Sequence, residues 1–566
     1  NYNNIYMKLY NKNLKVCFAL FLVIVSFTSC KKFLTENPTT QFTAEFVYNT
    51  PEGLESAVVG LYNLQRDFWQ KVGTNNGSDP IVIDSRDDLT VPRGGEISNY
   101  GRMSSGTRPD NSGVFGNYWR SYYRIIDRAN SVVKAAEVIS GMDEGRRIKV
   151  LAEAKFFRAN AVFTLYKLFN NIFVTTEPTT PQNATNIVLD KTPEADIYKL
   201  INDDLTFAIA NLTMTTADFG RITQATARHV KAEVALWQQN WPEAKLQSEA
   251  VLNSGAYSLV PTTAGVFAGE LKNSETLWAL QSKQGVDGAV IKINFNLMPN
   301  YAELIPGSKY SIEQGGRGFG WLTMNNYLRN LLNAYSTDTR IKGTYYIQDY
   351  LYNDPATVPN QALLGTKIVH PQWQEFAATS ANRNFWFIRL NAGCKKYFPD
   401  NGIPTQDNQY KNIMMARLAE TFLFASEANL MLNNIGTLAD GPLAGTALGQ
   451  LNAVRSRAGI PKIAVITIDS ILNEQAKELA FEGRRMYMLK RTGKLFSYVL
   501  DHAGYGMPGD ASAENSTAGG ANNTPAKPLP YRNDARRNMK AHMINWPIPL
   551  SEINLLGPNY PQNTGY

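Results

Sequence analysis

Apolar residues recur at intervals of three and four over most of this chain, the period of helices that bury one face, while alternating strand-like patterns are short and scattered. The spacing predicts helices over residues 44–69, with a break at Pro51, and over 118–139, 144–168, 194–211, 223–239, 241–253, 412–433, 443–458 and 468–492. Each runs out near Gly, Asn or Pro, residues that stop helices. The stretches 223–239 and 241–253 meet at Asn240 and carry Ala225, Ala232, Ala235, Ala244 and Ala250 where two helices must approach closely. That is a tetratricopeptide-like hairpin, and similar pairs can be drawn around Tyr118 with Lys155 and around Ala416 with Leu451. No strict period of about 34 residues is present, so the repeats are degenerate. The expected fold is mainly α: a degenerate tetratricopeptide-like scaffold of helical pairs in a single body spanning residues 42–566.

Two long stretches interrupt the helical period. Residues 72–115 are rich in Gly, Asn, Ser and Asp, and residues 260–410 are rich in aromatics. Insertions of this size are either functional or disordered. Tyr301, Tyr310, Phe319, Trp321, Tyr327, Trp373, Phe385 and Trp386 argue for an ordered surface in the second. Residues 504–527 have almost no core-forming side chain and read as a flexible insertion.

The amino end has its own logic. Lys8, Lys12 and Lys15 precede an apolar run over residues 16–27, followed by Thr28, Ser29 and Cys30. As a helix of about 12 residues the run reaches ~18 Å, short of the ~30 Å hydrocarbon core of a membrane. A secretory signal over residues 1–29, with its start at Met7, fits better than a permanent span. Phe27-Thr-Ser-Cys30 resembles a bacterial lipobox, so Cys30 is expected to be lipidated and to begin the mature chain, with residues 30–41 as a polar tether. The alternative is an ordinary signal peptide with an incidental cysteine. Cys17 is no rival, because Lys15 stands two residues before it and the apolar run follows it.

Composition narrows the function. Hydrophobic residues at 44% and charged residues at 19% are an ordinary globular balance, which excludes a disordered, collagenous or polytopic membrane chain. The net charge of +7 falls to +4 once the three leader lysines are set aside, too even for a nucleic-acid partner. With Cys394 the last cysteine of the body, no disulfide framework or cysteine zinc site can form. His229, His370, His502 and His542 are too scattered for a metal site or a triad, and no cofactor is expected. Asp79, Asp84, Asp87 and Asp88 could hold a structural Ca²⁺, but their spacing is not that of an EF-hand and a solvated acidic loop is favoured. The run Gly315-Gly-Arg-Gly-Phe-Gly320 lacks the Lys-Ser/Thr of a phosphate loop and reads as a flexible hinge.

Paired carboxylates invite an enzyme reading. Glu420 and Glu427 stand seven apart and Glu478 and Glu482 four apart, so each pair falls on one predicted helix face. Arg417, Arg455, Arg457, Arg484 and Arg485 lie beside them and favour inter-helix ion pairs, whereas a general acid needs an apolar setting that raises its pKa.

Several segments, taken in order, carry a resemblance: Cys30-Lys-Lys-Phe-Leu, Trp119-Arg-Ser-Tyr-Tyr-Arg-Ile-Ile-Asp-Arg-Ala-Asn130, Glu153-Ala-Lys-Phe-Phe-Arg-Ala159, Gly220-Arg-Ile-Thr, Asp338-Thr-Arg340, Ala416-Arg-Leu-Ala-Glu420, Leu451-Asn-Ala-Val-Arg-Ser-Arg-Ala-Gly459, Glu478-Leu-Ala-Phe-Glu-Gly-Arg-Arg485 and Trp546-Pro-Ile-Pro-Leu-Ser-Glu-Ile-Asn554. So ordered, they resemble the SusD/RagB family of outer-membrane nutrient-binding lipoproteins of Bacteroidetes. Asn170-Asn171 and Tyr487-Met488 depart from that pattern, as does the basic Lys31-Lys32 after Cys30. The resemblance implies a lipid-anchored protein on the outer membrane, exposed at the cell surface, that binds a glycan or peptide and hands it to a SusC-like TonB-dependent transporter. It also implies a ligand surface built from residues 72–115 and 294–327, with Asp84, Arg86, Arg93, Tyr100, Tyr301, Tyr310, Phe319 and Trp321 as candidate ligand residues and no catalytic residue. A surface glycoside hydrolase and a protein-binding helical-repeat scaffold are the rival readings.

Overall fold

The computed structural model describes residues 44–70, 81–92, 113–285, 291–303, 305–369, 389–503, 535–557 and 559–566. The leader, Cys30, the tether, the 504–527 insertion, Asp79, Arg93, Tyr100, His370, Trp373, Phe385 and Trp386 lie outside the described residues.

Pro51 divides the first helical stretch as expected, because proline fits a helix only in its first turn. A short helix, Ala44–Asn49, precedes α1, Pro51–Gln70. Then come α2, Gly113–Val138, and α3, Glu144–Phe169, whose Asp143 cap accepts from the Arg146 N–H. α4 is Glu194–Asn211 and α5 is Gln224–Trp237, opened by the Thr223 hydroxyl accepting from the Thr226 N–H. α6, Trp241–Leu252, is capped by Asn240 and takes Pro242 in its first turn. Each such cap is worth about 1 kcal/mol and fixes where the helix begins. α2 packs on α3, α3 on α4, α4 on α5 and α5 on α6, as stacked hairpins require.

The stack then breaks and resumes. β2, Thr276–Leu280, leads into the long insertion, and β6, Ile413–Arg417, leads out of it, antiparallel to β2 with Thr276 opposite Arg417 and Leu280 opposite Ile413. This pairing closes the insertion at its neck and delivers α7, Leu418–Met431, back onto α6. α8, Ala447–Arg457, and α9, Ile468–Leu479, pack on α7. Ala232, Ala235 and Leu236 of α5, Ala244 of α6, and Phe424 and Ala428 of α7 form one buried cluster, so the small residues do stand where helices meet.

Two predicted helices are corrected. The 412–433 stretch opens as strand β6, because its run Ile413-Met-Met-Ala pairs with β2 before the helical period starts at Leu418. The 468–492 stretch is two helices, α9 and α10, Arg485–Arg491, split by Phe481 and Gly483 at φ of 67° and 70°, a conformation that ends a helix. Inside the insertion the irregular reading holds, with short elements added: a helix Asn326–Asn333, a strand β3, Leu322–Met324, that pairs with β1, Thr90–Pro92, of the 72–115 stretch, and the pair β4, Tyr346–Ile347, with β5, Gly393–Cys394.

Ala244 has no exposed surface at the meeting of α5, α6 and α7. Ala244→Leu should overpack that junction and cost about 1–3 kcal/mol, read as a lower urea midpoint with an unchanged slope. A wild-type midpoint would show that the three helices do not close on each other there.

Candidate functional site

The paired carboxylates come first, because they would carry any catalysis. Glu478 is fully buried; it accepts from Arg417 at 2.7 Å, from Arg340 at 3.1 Å, from the Tyr345 hydroxyl at 2.9 Å, and from Arg457. Glu482 pairs with Arg417 at 2.9 Å and Lys396 at 2.7 Å. Glu474 pairs with Arg340, Arg455 and Lys477 at 2.7–2.9 Å. Burial alone would push these carboxyls up, but the surrounding cations win: Glu474 is held at about 2, Glu478 lies well below the ordinary carboxylate range, and Glu482 is also lowered. None of the three carries a proton to give at neutral pH. Glu420 meets His229 at 3.2 Å and Arg484 at 3.5 Å, and Glu427 meets Arg491. Of the arginines singled out by sequence, Arg485 turns instead to Asp88 at 2.7 Å. Arg340, which ties Glu474 to Glu478, was visible only as part of the Asp338-Thr-Arg340 motif.

The acidic segment is the clearest correction. Asp84, Asp87 and Asp88 are buried, not solvated, and each turns to a different partner. Asp84 accepts from the Gly483 N–H at 3.0 Å, Asp87 from the Leu89 N–H at 2.8 Å, and Asp88 from both arms of Arg485 at 2.7 and 2.8 Å. Burial raises Asp84 to about 7 and lifts Asp87 further from its ordinary range, whereas Arg485 outweighs burial at Asp88 and holds it at about 2. Among the described residues no group of three or more His, Cys, Asp or Glu side chains is placed to hold a metal ion. Arg86 is buried as well, its guanidinium 5.8 Å from the Phe115 ring and 6.0 Å from Trp546. Neither Asp84 nor Arg86 presents its polar head to a ligand; they seat the segment that leads into β1.

The aromatic candidates divide. Tyr301 is fully buried, stacked on Tyr350 at 4.7 Å with Tyr310 edge-on at 5.3 Å, and its hydroxyl accepts from the Ser311 N–H at 2.9 Å. It is core to the insertion. Tyr310 is partly buried, its hydroxyl bonded to Asn300. Phe319 and Trp321 are partly exposed and lie 5.2 Å apart at a 39° tilt. Phe295, which sequence reasoning missed, extends them, stacked on Phe319 at 5.9 Å and 18°. Its position inside the expected ligand segment was the one available signal.

This row of rings is carried on a fixed loop. The Phe319 N–H donates to the Phe295 carbonyl at 2.7 Å, Gly320 N–H to Met298 at 2.8 Å and Arg317 N–H to Pro404 at 2.7 Å. A side chain at Gly318 would collide with the Met298 carbonyl, and one at Gly316, already at φ 68°, with the Phe398 ring. The glycines serve close approach, not the hinge expected from sequence. A cleft of a different kind, about 630 Å³, opens between α6, α7 and α8, walled by Leu252, Leu259, Leu418, Phe422 and Leu443.

A family model described as the SusD family matches residues 314–566, and one described as starch-binding associating with outer membrane matches residues 32–235. The chain belongs to the SusD/RagB family. Among curated relatives, SusD-like protein P25 of Formosa agariphila is 26% identical over 95% of both chains, and a SusD-like protein of Bacteroides ovatus is 24% identical over 81% of this chain and 79% of that one. A SusD homolog from Bacteroides thetaiotaomicron superposes with a TM-score of 0.70 at 16% identity over 93% of this chain and 99% of its own. A laminarin binding SusD-like protein gives 0.64 at 22%, and surface glycan-binding protein A from Bacteroides fluxus 0.67 at 21%, each over 92% of this chain and all of theirs. These likenesses establish the fold, mainly helical as expected.

Glu478→Gln would leave Arg417 and Arg457 facing a neutral amide without solvent, and should cost about 3–5 kcal/mol in chemical denaturation; a loss below about 1 kcal/mol would mean the network is not built around Glu478. Asp84 gives a signed pH test. Its folded pKa of about 7 lies above the unfolded value near 3.8, so the fold retains a proton the unfolded chain releases, and stability falls as pH rises from about 4 to about 7. Asp84→Asn keeps an acceptor for Gly483 without titrating, and should flatten that part of the stability–pH curve; an unaltered slope would be the contrary result.

Proposed function

We propose that this chain is a surface-exposed lipoprotein of the outer membrane that binds an oligosaccharide and delivers it, unaltered, to a SusC-like TonB-dependent transporter. The observation that carries the reading is the row Phe295, Phe319 and Trp321: flat rings left partly exposed on a rigid loop. A sugar has an apolar C–H face that stacks on such rings while its hydroxyls stay in water or meet polar neighbours. The solved relatives named for laminarin binding and for surface glycan binding support a glycan over a peptide. The family description associating it with the outer membrane supports the location, and the lipobox-like Phe27-Thr-Ser-Cys30 supports an acyl anchor. Among the described residues no helix is long and apolar enough to cross a membrane.

Hydrolysis is the poorer reading. A glycosidase needs one carboxyl protonated and set beside another across a sugar-sized gap, whereas Glu474, Glu478 and Glu482 are ionised and enclosed by cations. The protein-binding reading joins the first instead of replacing it. The aliphatic cleft between α6, α7 and α8, with Leu443 exposed at its edge, supports the helical scaffold as the side that meets the transporter.

Affinity electrophoresis across a polysaccharide panel tests the function. Trp321→Ala should weaken retardation on the bound glycan about tenfold or more, equivalent to about 1.4 kcal/mol, and no reducing sugar should be released. Retained affinity, or turnover of any polymer, would remove the reading.

A further inference from the structure

Arg317, Phe319 and Trp321 are partly exposed while Gly318, Gly320 and Leu322 between and after them are buried, so this segment presents a cation and two rings on one side. Arg317 is held from three directions, one of them the Tyr310 hydroxyl, which its side chain hydrogen-bonds. Its backbone N–H donates to Pro404, and its guanidinium meets Asp407 at 3.0 Å, both partners coming from the loop that flanks the row. The two charged side chains remain 40% and 37% exposed, and an ion pair so open to water adds little to stability. Nor do these contacts exhaust the pair: a guanidinium has five N–H donors and a carboxylate two oxygens with several lone pairs.

Granting the glycan-binding reading, on which this step rests, we propose that the Arg317–Asp407 pair is the hydroxyl-recognising end of the aromatic row and selects an uncharged sugar. A vicinal diol satisfies both groups at once, one hydroxyl donating to Asp407 while its neighbour accepts from Arg317. A uronate or sulfated sugar set with its anion against the pair gains Arg317 but brings a second negative charge beside the Asp407 carboxylate, so the pair favours the neutral ligand over the charged one.

The test titrates laminarin and xyloglucan as neutral probes, and alginate and polygalacturonate as acidic ones, against wild type, Arg317→Ala, Asp407→Asn and Trp321→Ala, with thermal melting to establish that each variant is folded. Wild type should bind a neutral polymer and neither acidic one. Arg317→Ala should lose about tenfold on the neutral polymer. Asp407→Asn should also weaken there and gain measurable binding to an acidic polymer, because Arg317 is released. Acidic polymers bound by wild type as well as neutral ones would overturn the proposal. So would wild-type affinities in both Arg317→Ala and Asp407→Asn alongside a weakened Trp321→Ala, a result that leaves the glycan-binding reading standing. Binding by wild type to none of the four, or an unaffected Trp321→Ala, would instead defeat the glycan-binding surface itself.

Discussion

Glu478 is fully buried and still ionised because Arg340, Arg417 and Arg457 converge on it, with the Tyr345 hydroxyl as a further donor. Removing such charges from water costs several kcal/mol per ion, and only a fully partnered arrangement offsets it. The partners come from segments remote in sequence, and Glu275, Glu474, Glu478 and Glu482 are each met by at least two cations. Arg340 and Tyr345 come from the insertion, Arg417 from the end of β6, Arg457 from α8 and Glu478 from α9, while Glu275 just before β2 takes both Arg417 and Arg457. The arrangement admits one register, since sliding any element by a residue would strand a charge without solvent. Its role is less to add stability than to fix how the insertion sits on the helical stack.

From that knot the position of the ring row follows contact by contact. Lys396 donates to the carbonyls of Glu478 and Ala480 and to Glu482, and the Tyr397 hydroxyl donates to Phe481. These bonds hold the chain just after β5. Gly393 of β5 leaves room for the side chains of Met298 and Pro299, and the Met298 backbone in turn occupies the space that Gly318 leaves empty. Phe319 and Trp321 are therefore aimed by a relay of close approaches that begins at a buried ion pair. On the proposed glycan-binding reading, a surface so prepared loses little conformational entropy on binding, which suits recognition by a few weak contacts.

Sequence periodicity reached the helices because stacked pairs keep the 3.6-residue stripe that packing demands. It failed where two geometries share one pattern. A buried apolar run such as Ile413-Met-Met-Ala serves a strand as well as a helix, and only the pairing with β2 decides. The break at Phe481 was invisible for another reason, since a non-glycine residue at positive φ is imposed by the surrounding structure, not by local preference. Asp84 and Arg86 were misread on the same principle: their partners Gly483 and Trp546 lie more than 390 residues along the chain, and a run of aspartates without its partners looks like a wet loop. Phe319 and Trp321 were candidates because the resemblance placed a ligand surface over residues 294–327. Tyr301 had no less claim, yet an aromatic in an insertion packs as readily as it binds.

The exposure of the rings is itself the functional clue. A fold that can bury Tyr301, Tyr345, Tyr346 and Tyr350 almost completely has the means to bury aromatics, and in this insertion it does so. Phe295, Phe319 and Trp321 stay partly in water under the same construction, held there by glycines that admit no slack. Leaving apolar ring surface hydrated costs free energy at roughly 25 cal/mol per Å², and folding alone offers no return for it. The return comes when a complementary apolar face covers the rings, as the C–H face of a sugar does. On the proposed glycan-binding reading, Glu478 and Glu482 are held as anions inside the knot that positions the rings, so the charges that aim the rings have no proton to give a ligand.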